Sequence, residues 1–364
     1  TAAKGFEAAS TAAGIKYKNR TDMALVYSEV PCVCAGTFTT NVVKAAPVLI
    51  DMEHVKNPVT RAMVINSGNA NACTGQEGFG YCKDTADKAA EVFGVPADAV
   101  LLGSTGVIGK QLPIDRIRAG VEKLAAAKAD TLEAGNAAAK AIMTTDTFPK
   151  EVAVEFTLDG KTCHLGGMAK GSGMIHPNMA TTLNCITTDA AISPEMLQKA
   201  LSDVVKVTYN CLSVDGDQST NDTCMVMASG MAGNAEITAD GADYDAFRQA
   251  LYIVMMNMTR LLAKDGEGAS KLLECTVSGA ADVDTAIIVA KSVICSPLFK
   301  CAMFGEDANW GRVLCAIGYA DAEFDINKVD VDLASVKGVL PVCRNGAGIE
   351  FSEDFAKEVL AEDE

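Results

Sequence analysis

The residues best suited to chemistry lie in one glycine-rich stretch near the middle of the chain, residues 166–183. Its sequence, GGMAKGSGMIHPNMATTL, has four glycines in its first eight residues, a lysine at Lys170, and two adjacent threonines at its end. Glycines at this density indicate a backbone that turns repeatedly or must approach something closely. The stretch is therefore a linker, a cradle for a phosphate, or the housing of a nucleophile.

Nucleophiles that depend on histidine have little support in this sequence. The histidines are His54, His164 and His176, and none lies near a Gly-x-Ser-x-Gly elbow, a motif that the sequence lacks. A catalytic cysteine would also need a histidine partner, and no spacing indicates one. His176 precedes a proline, and a structural role explains it better than a role as a base.

A threonine can act without histidine when its own α-amino group serves as the base, which requires cleavage of the peptide bond before it. The bond Ala180–Thr181 meets the local requirements, because a small residue precedes the hydroxyl and the approach to it is rich in glycine. An α-amino group has an ordinary pKa of about 7.7–8.0, which suits proton transfer near neutral pH. On these residues alone, a self-processed threonine nucleophile and a purely structural loop both remain open.

A second glycine-containing segment, residues 99–109, reads as a strand followed by a tight glycine loop and then a helix. Such a turn can bind an anion through its free N–H groups. It lacks the Lys-Ser/Thr ending of a Walker loop and the spacing of a dinucleotide fingerprint. An oxyanion hole needs only one or two donors, and Thr105-Gly106 can supply them.

The surrounding pattern mixes strands and helices in irregular order, which favours an α+β, layered architecture over a doubly wound parallel sheet. Val152 to Leu158 alternates before Asp159-Gly160, which predicts a hairpin that delivers the chain into the glycine-rich stretch. Ser193-Pro194 predicts a capped helix start. Strands are expected at residues 24–27, 33–38, 62–65, 99–102, 152–158, 161–165 and 183–188, and helices at residues 83–93, 113–129, 132–143, 194–205, 244–262 and 282–296, with a short acidic helix from residue 352.

Three further polar segments each have a structural and a functional explanation. The asparagine-rich residues 66–75 either satisfy their own backbone or bind a ligand. Residues 213–223 contain Asp-x-Asp but no glutamate at the spacing of an EF-hand, so they form a polar turn or a loop that braces a site. Glu267 lies between two glycines and is either solvated or directed at a cationic ligand.

The composition excludes several classes of protein. A net charge of −16 argues against binding to nucleic acid or to anionic membranes. The thirteen cysteines are scattered without paired spacing, which favours free thiols in a reducing cytosol and predicts no metal site. No run is long and apolar enough to span a bilayer and no secretory signal opens the chain, so a cytoplasmic location is expected.

The motifs together resemble a known family. Residues 170–175 and 178–183 closely resemble the self-cleaving segment of the ornithine acetyltransferases, the bifunctional glutamate N-acetyltransferases of arginine biosynthesis. The resemblance continues in the same order through residues 66–75, 104–109, 143–147, 213–223, 266–271 and 309–312. It therefore covers most of the chain and implies the fold of that family.

The resemblance also implies roles for individual residues. Thr181 would be the nucleophile, freed when the chain cleaves itself between Ala180 and Thr181. Thr105 and Gly106 would form the oxyanion hole. Substrate would contact Thr181, a threonine of residues 144–147, for which Thr147 is chosen, and two charged side chains, Lys170 and Glu267. Because both substrates carry a carboxylate, Lys170 supplies the positive charge that an acidic chain otherwise lacks.

The implied reaction is a ping-pong transfer: N²-acetylornithine acetylates Thr181, ornithine leaves, and glutamate takes the acetyl group. It needs no cofactor, and use of acetyl-CoA as a further donor stays open. Residues 1–180 would form an α chain with the oxyanion-hole loop and the self-cleavage loop, and residues 181–364 a β chain that begins at the nucleophile. The two chains would intertwine in one catalytic unit and assemble as (αβ)2 or a higher oligomer.

Two features depart from the family pattern. Thr182 stands where the family usually has Met, which places a second hydroxyl beside the nucleophile. The family also continues past the acidic terminal helix into a tail with an Asn and a Ser or Thr that bind substrate, and this sequence stops at Glu364. Either the sequence is truncated at this point, or the β chain lacks that part of the site.

Two other functions remain as alternatives. A self-processing amide hydrolase or aminopeptidase with a threonine or serine nucleophile would share the fold and the cleavage but pass the acyl group to water. A non-catalytic ligand-binding protein would keep one intact chain and form no acetyl-enzyme.

Overall fold

A computed structural model describes residues 1–176 and 182–364 of the chain. The strands within them are β1 Phe6–Thr11, β2 Met23–Phe38, β3 Thr60–Asn69, β4 Val100–Val107, β5 Lys150–Leu158, β6 Lys161–Lys170, β7 Leu183–Thr188, β8 Thr223–Ala228, β9 Val331–Ser335, β10 Gly338–Arg344 and β11 Ala347–Gly348. The helices are α1 Ala46–His54, α2 Gly75–Phe93, α3 Ile114–Ala127, α4 Leu132–Ala141, α5 Pro194–Lys206, α6 Ala242–Lys264, α7 Val283–Ile294, α8 Pro297–Phe304, α9 Trp310–Gly318 and α10 Glu353–Leu360.

One long strand, β2, joins two halves of a mixed sheet whose strand order is β4-β3-β2-β8-β7-β6-β5, with β1 also paired to β2. Its first part, from Met23 to Tyr27, pairs with β3, and its last part, from Val33 to Phe38, pairs with β8. The register shifts between Tyr27 and Cys32, where the strand passes from one half to the other. Two neighbouring pairs, β3 with β4 and β7 with β8, are parallel.

The inner faces of the two halves share one core. The buried side chains that β3, β4, β6, β7 and β8 contribute to it are Met63, Ile65, Leu101, Met168, Leu183, Cys185, Met225 and Met227. A Cβ added at Gly103 of β4 would lie 3.1 Å from the side chain of Leu183 in β7, so the halves approach closely. Helices α1, α2 and α3 cover the outer face of the first half, and α5 and α6 cover that of the second. The predicted α+β, layered class is therefore confirmed as a stack of helix, sheet, sheet and helix layers.

The last quarter of the chain forms a smaller unit. Helices α7 to α10 pack against the three-stranded sheet β11-β10-β9 around their own apolar core. Arg260 of α6 forms ion pairs with Glu274 and Glu364, and Lys271 donates to the carbonyls of Leu360 and Glu362. These contacts attach the smaller unit to the end of α6, next to Glu267.

Local signals located several elements correctly. The hairpin of β5 and β6 turns at Asp159-Gly160, where both residues have positive φ. The side chain of Ser193 caps α5 by accepting a hydrogen bond from the backbone N–H of Met196. Ser352 caps α10 in the same way through Phe355. These predictions are confirmed because each depends on a turn or cap whose residues are adjacent in sequence.

The prediction that the strand within residues 99–109 gives way to a tight glycine loop is wrong for residues 103–107. These residues continue β4, because parallel pairing with β3 extends as far as Asn69 and Val107. Gly166 and Gly167 likewise belong to β6 and pair with both β5 and β7. A Cβ at Gly167 would lie 2.6 Å from the carbonyl oxygen of Cys185, so glycine here permits close approach of a neighbouring strand. The helices α1, α8 and α9 were not predicted at all.

The cysteines and helices bear on two other expectations. All thirteen cysteines lie in the described residues, and each is a free thiol. In the same residues, no single helix is long and apolar enough to cross a membrane, although the bent pair α7 and α8 meets the length and composition criteria when the two are taken together.

Candidate active site

The site forms where β4 of the first half-sheet and β6 of the second end side by side. Nζ of Lys170, the last residue of β6, donates a hydrogen bond of 3.1 Å to Oγ1 of Thr105 in β4. Both side chains are buried. Burial lowers the pKa of Lys170, a trend that the charge of Asp146 opposes and that of Lys150 reinforces. Because Lys170 is the donor, the Thr105 hydroxyl keeps its own proton for another acceptor.

Gly106 follows Thr105 at a position that only glycine fits. Its φ is +128°, and an added Cβ would lie 2.3 Å from the carbonyl carbon of Gly68 in the adjacent strand. The chain thus gains a close backbone contact between β3 and β4 at the point where Thr105 faces the site.

Beside these residues lies a cavity of about 480 Å³. Its lining residues are Ala70, Thr105, Gly106, Ile108, Thr144, Thr145, Lys170, Gly173, Met174, Asp215, Ser219, Thr220, Asn221 and Glu267. The structure therefore brings together four residues that the sequence predicted: Thr105, Gly106, Lys170 and Glu267. The buried ammonium of Lys170 shares the cavity with the exposed carboxylates of Glu267 and Asp215, and that of Asp215 accepts hydrogen bonds from the N–H groups of Met174 and Ile175.

Lys150 forms a buried ion-pair network behind this cavity. Its side chain is fully buried, and Nζ donates to Oδ1 of Asp146 at 2.8 Å and to Oδ2 of Asp265 at 2.6 Å. Burial alone would raise the pKa of Asp146, but the charges of Lys170 and Lys150 outweigh it and hold that pKa below its ordinary value. A single lysine thus joins the start of β5 to Asp265, the residue that follows α6.

The two carboxylates of this network hold the backbone around the cavity. Asp146 accepts hydrogen bonds from the N–H groups of Gly171 and Thr144, at 2.7 and 3.0 Å. Asp265 accepts from the N–H of Thr147 at 3.0 Å and from its hydroxyl. The Thr147 side chain is thus directed at Asp265, and the cavity is lined by Thr144 and its neighbour instead. The choice of Thr147 as the substrate-binding threonine stays a prediction that this geometry does not support.

Asn221 connects the loop of residues 213–223 to β4. Its side-chain amide donates to the carbonyl oxygens of Ala70 and Ser104, at 2.7 and 2.8 Å. The carbonyl of Ser104 belongs to the same planar peptide as the N–H of Thr105, so Asn221 fixes the orientation of that N–H. Of the two explanations for this loop, bracing a site fits the contacts better than a simple polar turn.

Asp222 connects the same loop to the chain that enters β7. Oδ1 of Asp222 accepts a hydrogen bond of 2.7 Å from the backbone N–H of Thr182, and the N–H of Thr223 donates to the carbonyl of Thr182 at 2.8 Å. Burial raises the pKa of Asp222 to about 7, against the opposing effects of that N–H and of the Lys170 charge. Both backbone groups of Thr182, its N–H and its carbonyl, are therefore held by hydrogen bonds.

The predicted nucleophile Thr181 and the predicted cleavage residue Ala180 lie outside the described residues. The next residue in the sequence, Thr182, has φ +59°, and its hydroxyl accepts a hydrogen bond from the side chain of Asn184. The second hydroxyl that the sequence places beside Thr181 is thus engaged with β7.

His176 is the last residue of the first described segment, residues 1–176. Its Nδ1 is 3.0 Å from Oγ of Ser213 and 3.7 Å from Sγ of Cys295. Burial lowers its pKa, and the charges of Lys291 and Lys300 add to this effect. Within residues 1–176 and 182–364, no three side chains of His, Cys, Asp or Glu gather as ligands for a metal ion.

Sequence reasoning missed several residues of this site. Asn221 and Asp222 lie in the polar segment of residues 213–223. The many side-chain donors and acceptors of that segment could have indicated their contacts with the site. Asp146 lies in another of the segments that resemble the family. Lys150 and Asp265 carried no signal, since an isolated lysine at a strand start and an aspartate after a helix are common.

The fold and the site together define the class of protein: a layered mixed α/β protein with a polar pocket where two half-sheets meet. Residues 7–364 match the ArgJ family, and the chain belongs to this family. Family membership confirms the resemblance on which the sequence reasoning relied.

Relatives in several organisms are similar over nearly the whole chain. The arginine biosynthesis bifunctional protein ArgJ of Caldanaerobacter subterraneus subsp. tengcongensis is 51% identical over 361 residues, which are 99% of this chain and 89% of that protein. The protein ArgJ 1 of Clostridium acetobutylicum is 48% identical over 98% of this chain and 86% of its own length. Among solved structures, ornithine acetyltransferase of Mycobacterium tuberculosis complexed with ornithine is 45% identical over 49% of this chain and 94% of that one, with a TM-score of 0.47.

Proposed function

We propose that this chain is a glutamate N-acetyltransferase, an ornithine acetyltransferase of arginine biosynthesis that moves the acetyl group of N²-acetylornithine to glutamate. The observation that carries the proposal is the hydrogen bond from Lys170 to Thr105 on the wall of a cavity that also contains Glu267. A cation and an anion in one pocket suit an amino acid that has a carboxylate and a further amine. The family and its relatives, named for arginine biosynthesis, support the same reaction.

In the proposed mechanism the chain first cleaves itself between Ala180 and Thr181, which frees the α-amino group of Thr181. That amine takes the proton of the Thr181 hydroxyl as its oxygen attacks the acetyl carbonyl. Thr105 and Gly106 donate hydrogen bonds to the oxyanion of the tetrahedral intermediate. The C–N bond then breaks, the proton passes to the departing amine of ornithine, and acetyl-Thr181 remains.

The second half-reaction reverses these steps with a different amine. The amine of glutamate attacks the acetyl ester, loses a proton, and the Thr181 oxygen leaves and is reprotonated. Lys170 contributes in two ways: its charge attracts the carboxylate of either amino acid, and its hydrogen bond polarises the Thr105 hydroxyl. Glu267 would bind the side-chain amine of ornithine. Of the threonines of residues 144–147 the cavity lining favours Thr144 and Thr145 as substrate contacts over Thr147.

The proposed mature enzyme consists of an α chain, residues 1–180, and a β chain, residues 181–364. Thr105 and Lys170 belong to the first, and Asp222 and Glu267 to the second, so neither chain alone has a full site. Pairing of β6 with β7 and of β2 with β8 would hold the two chains together after cleavage. We place this enzyme in the cytoplasm, as (αβ)2 or a higher oligomer, with no cofactor and with acetyl-CoA as an additional acetyl donor.

The runner-up function, a self-processing amide hydrolase or aminopeptidase, shares all steps up to the acyl-enzyme. The two functions differ in what removes the acetyl group. Purified protein incubated with N²-acetylornithine should release ornithine slowly without glutamate and much faster with it, with formation of N-acetylglutamate. An equal rate with and without glutamate would favour the hydrolase, and a non-catalytic binding protein would release no ornithine at all.

A further inference from the structure

A second cavity, of about 250 Å³, lies on the other side of the wall that carries the predicted oxyanion-hole residue Gly106. Its lining residues are Lys16, Tyr17, Arg20, Asp22, Ser67, Gly68, Gly106, Val107, Met143, Thr144 and Thr145. Three of them, Gly106, Thr144 and Thr145, also line the larger cavity. A ligand seated in the larger cavity can therefore extend one of its ends across these residues.

The charged groups of this second cavity are mainly positive, although the whole chain has a net charge of −16. Lys16 and Arg20 contribute the cations. The one acidic side chain, Asp22, has both oxygens engaged, because they accept hydrogen bonds from the N–H groups of Ala13 and Ile15 at 2.7 and 2.6 Å. Asp22 thus stabilises the turn before it and does not pair with either cation.

Arg20 is fixed in place by the wall that the two cavities share. Its Nη2 donates to the carbonyl oxygens of Met143 and Thr144, at 2.6 and 3.2 Å. Within residues 1–176 and 182–364, its Nε and Nη1 donate to no protein acceptor, so they remain available to a ligand. The ammonium of Lys16 lies 5.0 Å from the ring centre of Tyr17, and in the described chain it has no carboxylate partner either.

The larger cavity, by contrast, is lined by one cation, Lys170, and by two acidic side chains, Glu267 and Asp215. This arrangement suits the carboxylate and the side-chain amine of ornithine. It does not suit a substrate whose far end is anionic, since Glu267 would repel that end. In the proposed reaction two molecules have such an end: glutamate, which accepts the acetyl group, and acetyl-CoA, the additional donor.

We propose that the cavity of Lys16 and Arg20 is the subsite for the anionic end of one of these two molecules. Its ligand is a carboxylate or a phosphate: the side chain of an acidic amino acid that accepts the acetyl group, or the phosphates of an acyl-CoA that donates it. Lysine and arginine bind both kinds of anion through charge-assisted hydrogen bonds. The proposal rests on the proposed acetyl transfer for the identity of the substrates, but binding of an anion at this place is independent of it.

The kinetic test compares Lys16→Gln with Lys18→Gln. Lys18 is an exposed lysine of the same segment that does not line the cavity, so both variants lose one charge at nearly the same place in the chain. In Lys16→Gln we expect KM for one anionic substrate to rise about tenfold, the cost of one charge-assisted hydrogen bond. The KM for N²-acetylornithine, and both values in Lys18→Gln, should stay near those of the wild type. A rise confined to glutamate identifies a carboxylate subsite, and one confined to acetyl-CoA identifies a phosphate subsite.

A binding measurement keeps the proposal testable without any activity. Titration calorimetry at low ionic strength, with pyrophosphate and with glutarate as probes, should show one of them bound by the wild type and by Lys18→Gln but about tenfold more weakly by Lys16→Gln. Such binding without acetyl transfer would refute the proposed function and leave the subsite standing. Acetyl transfer with unchanged kinetics and no probe binding would overturn the subsite alone. An equal effect of both variants, or an equal rise in KM for N²-acetylornithine, would also overturn it.

Discussion

The carboxylate of Asp222 accepts a hydrogen bond of 2.7 Å from the backbone N–H of Thr182, the residue that follows the predicted nucleophile. The neighbouring Asn221 donates to the carbonyl of Ser104, which precedes the predicted oxyanion-hole residues. Two adjacent side chains thus bind the backbone that follows the predicted nucleophile and the backbone that precedes the predicted oxyanion-hole residues.

The raised pKa of Asp222 predicts a change in how stability depends on pH. Because burial raises this pKa to about 7, the folded chain binds the proton between about pH 4 and 7 while the unfolded chain has lost it. The contribution of Asp222 to the free energy of unfolding therefore falls as pH rises through that range. Asp222→Asn should remove this fall, which is on the order of 1 kcal/mol for each pH unit at most.

The measurement for Asp222 is urea unfolding at several pH values. It compares the protein that keeps Asp222 with the Asp222→Asn variant, and both carry Thr181→Ala so that neither is cleaved. The difference in free energy of unfolding between the chain with Asp222 and the chain with Asn should decrease from about pH 5 to about pH 7. A difference that does not vary with pH would show that Asp222 is ionised throughout.

Lys150→Met is expected to destabilise the chain strongly. The change leaves the carboxylates of Asp146 and Asp265 buried without their cation, and such a loss costs about 3–5 kcal/mol. Urea unfolding in the Thr181→Ala background measures it. The double variant Lys150→Met with Asp265→Asn should recover part of the loss, because it removes one of the uncompensated charges. A cost below about 1 kcal/mol for Lys150→Met would contradict a buried network that holds the site.

Gly106→Ala tests the contact between β3 and β4. The new methyl group would meet the carbonyl of Gly68, so the strand must shift at Thr105, and kcat/KM should fall about 100-fold or more, as when an oxyanion donor is lost. Gly109→Ala is the matched control: Gly109 also has a positive φ, +78°, but no atom lies within 4 Å of an added Cβ. The control should lose only about 1 kcal/mol of stability. Similar activity losses in both variants would point to backbone strain and not to the clash.

Lys170→Met should raise KM for both N²-acetylornithine and glutamate and lower kcat/KM about 100-fold or more, since it removes a buried charge and the hydrogen bond to Thr105. Lys123→Met, at an exposed position of α3, removes the same charge away from the site and should leave both constants unchanged. Unchanged affinity for both substrates in Lys170→Met would refute the role of Lys170 in binding their carboxylates.

Much of the fold could be predicted where neighbouring residues determine it. The cap at Ser193 and the turn at Asp159-Gly160 depend on local chemistry, and the structure has both. The continuation of β4 through Gly103 and Gly106 could not be read in this way. Both glycines are strand residues because β3 lies alongside them, and at Gly106 the backbone of Gly68 leaves no room for a side chain.

The same distinction holds for the site. Thr105, Gly106, Lys170 and Glu267 were recognised through family motifs, and they line one cavity. The pairing of Lys150 with Asp265, 115 residues apart, depends on how β5 packs beside α6, which no local pattern specifies. Residues 144–147 contain three threonines, and the sequence does not show which of them faces the cavity. Only their contacts in the folded chain distinguish Thr147 from the other two.

The most direct test of the central claim, that Thr181 becomes an amino-terminal nucleophile, is the intact mass of the purified protein before and after incubation with N²-acetylornithine. We expect two fragments, residues 1–180 and 181–364, of which only the second gains the mass of one acetyl group. Thr181→Ala should give one uncleaved chain that gains nothing. An active wild-type protein that remains a single intact chain would contradict the account.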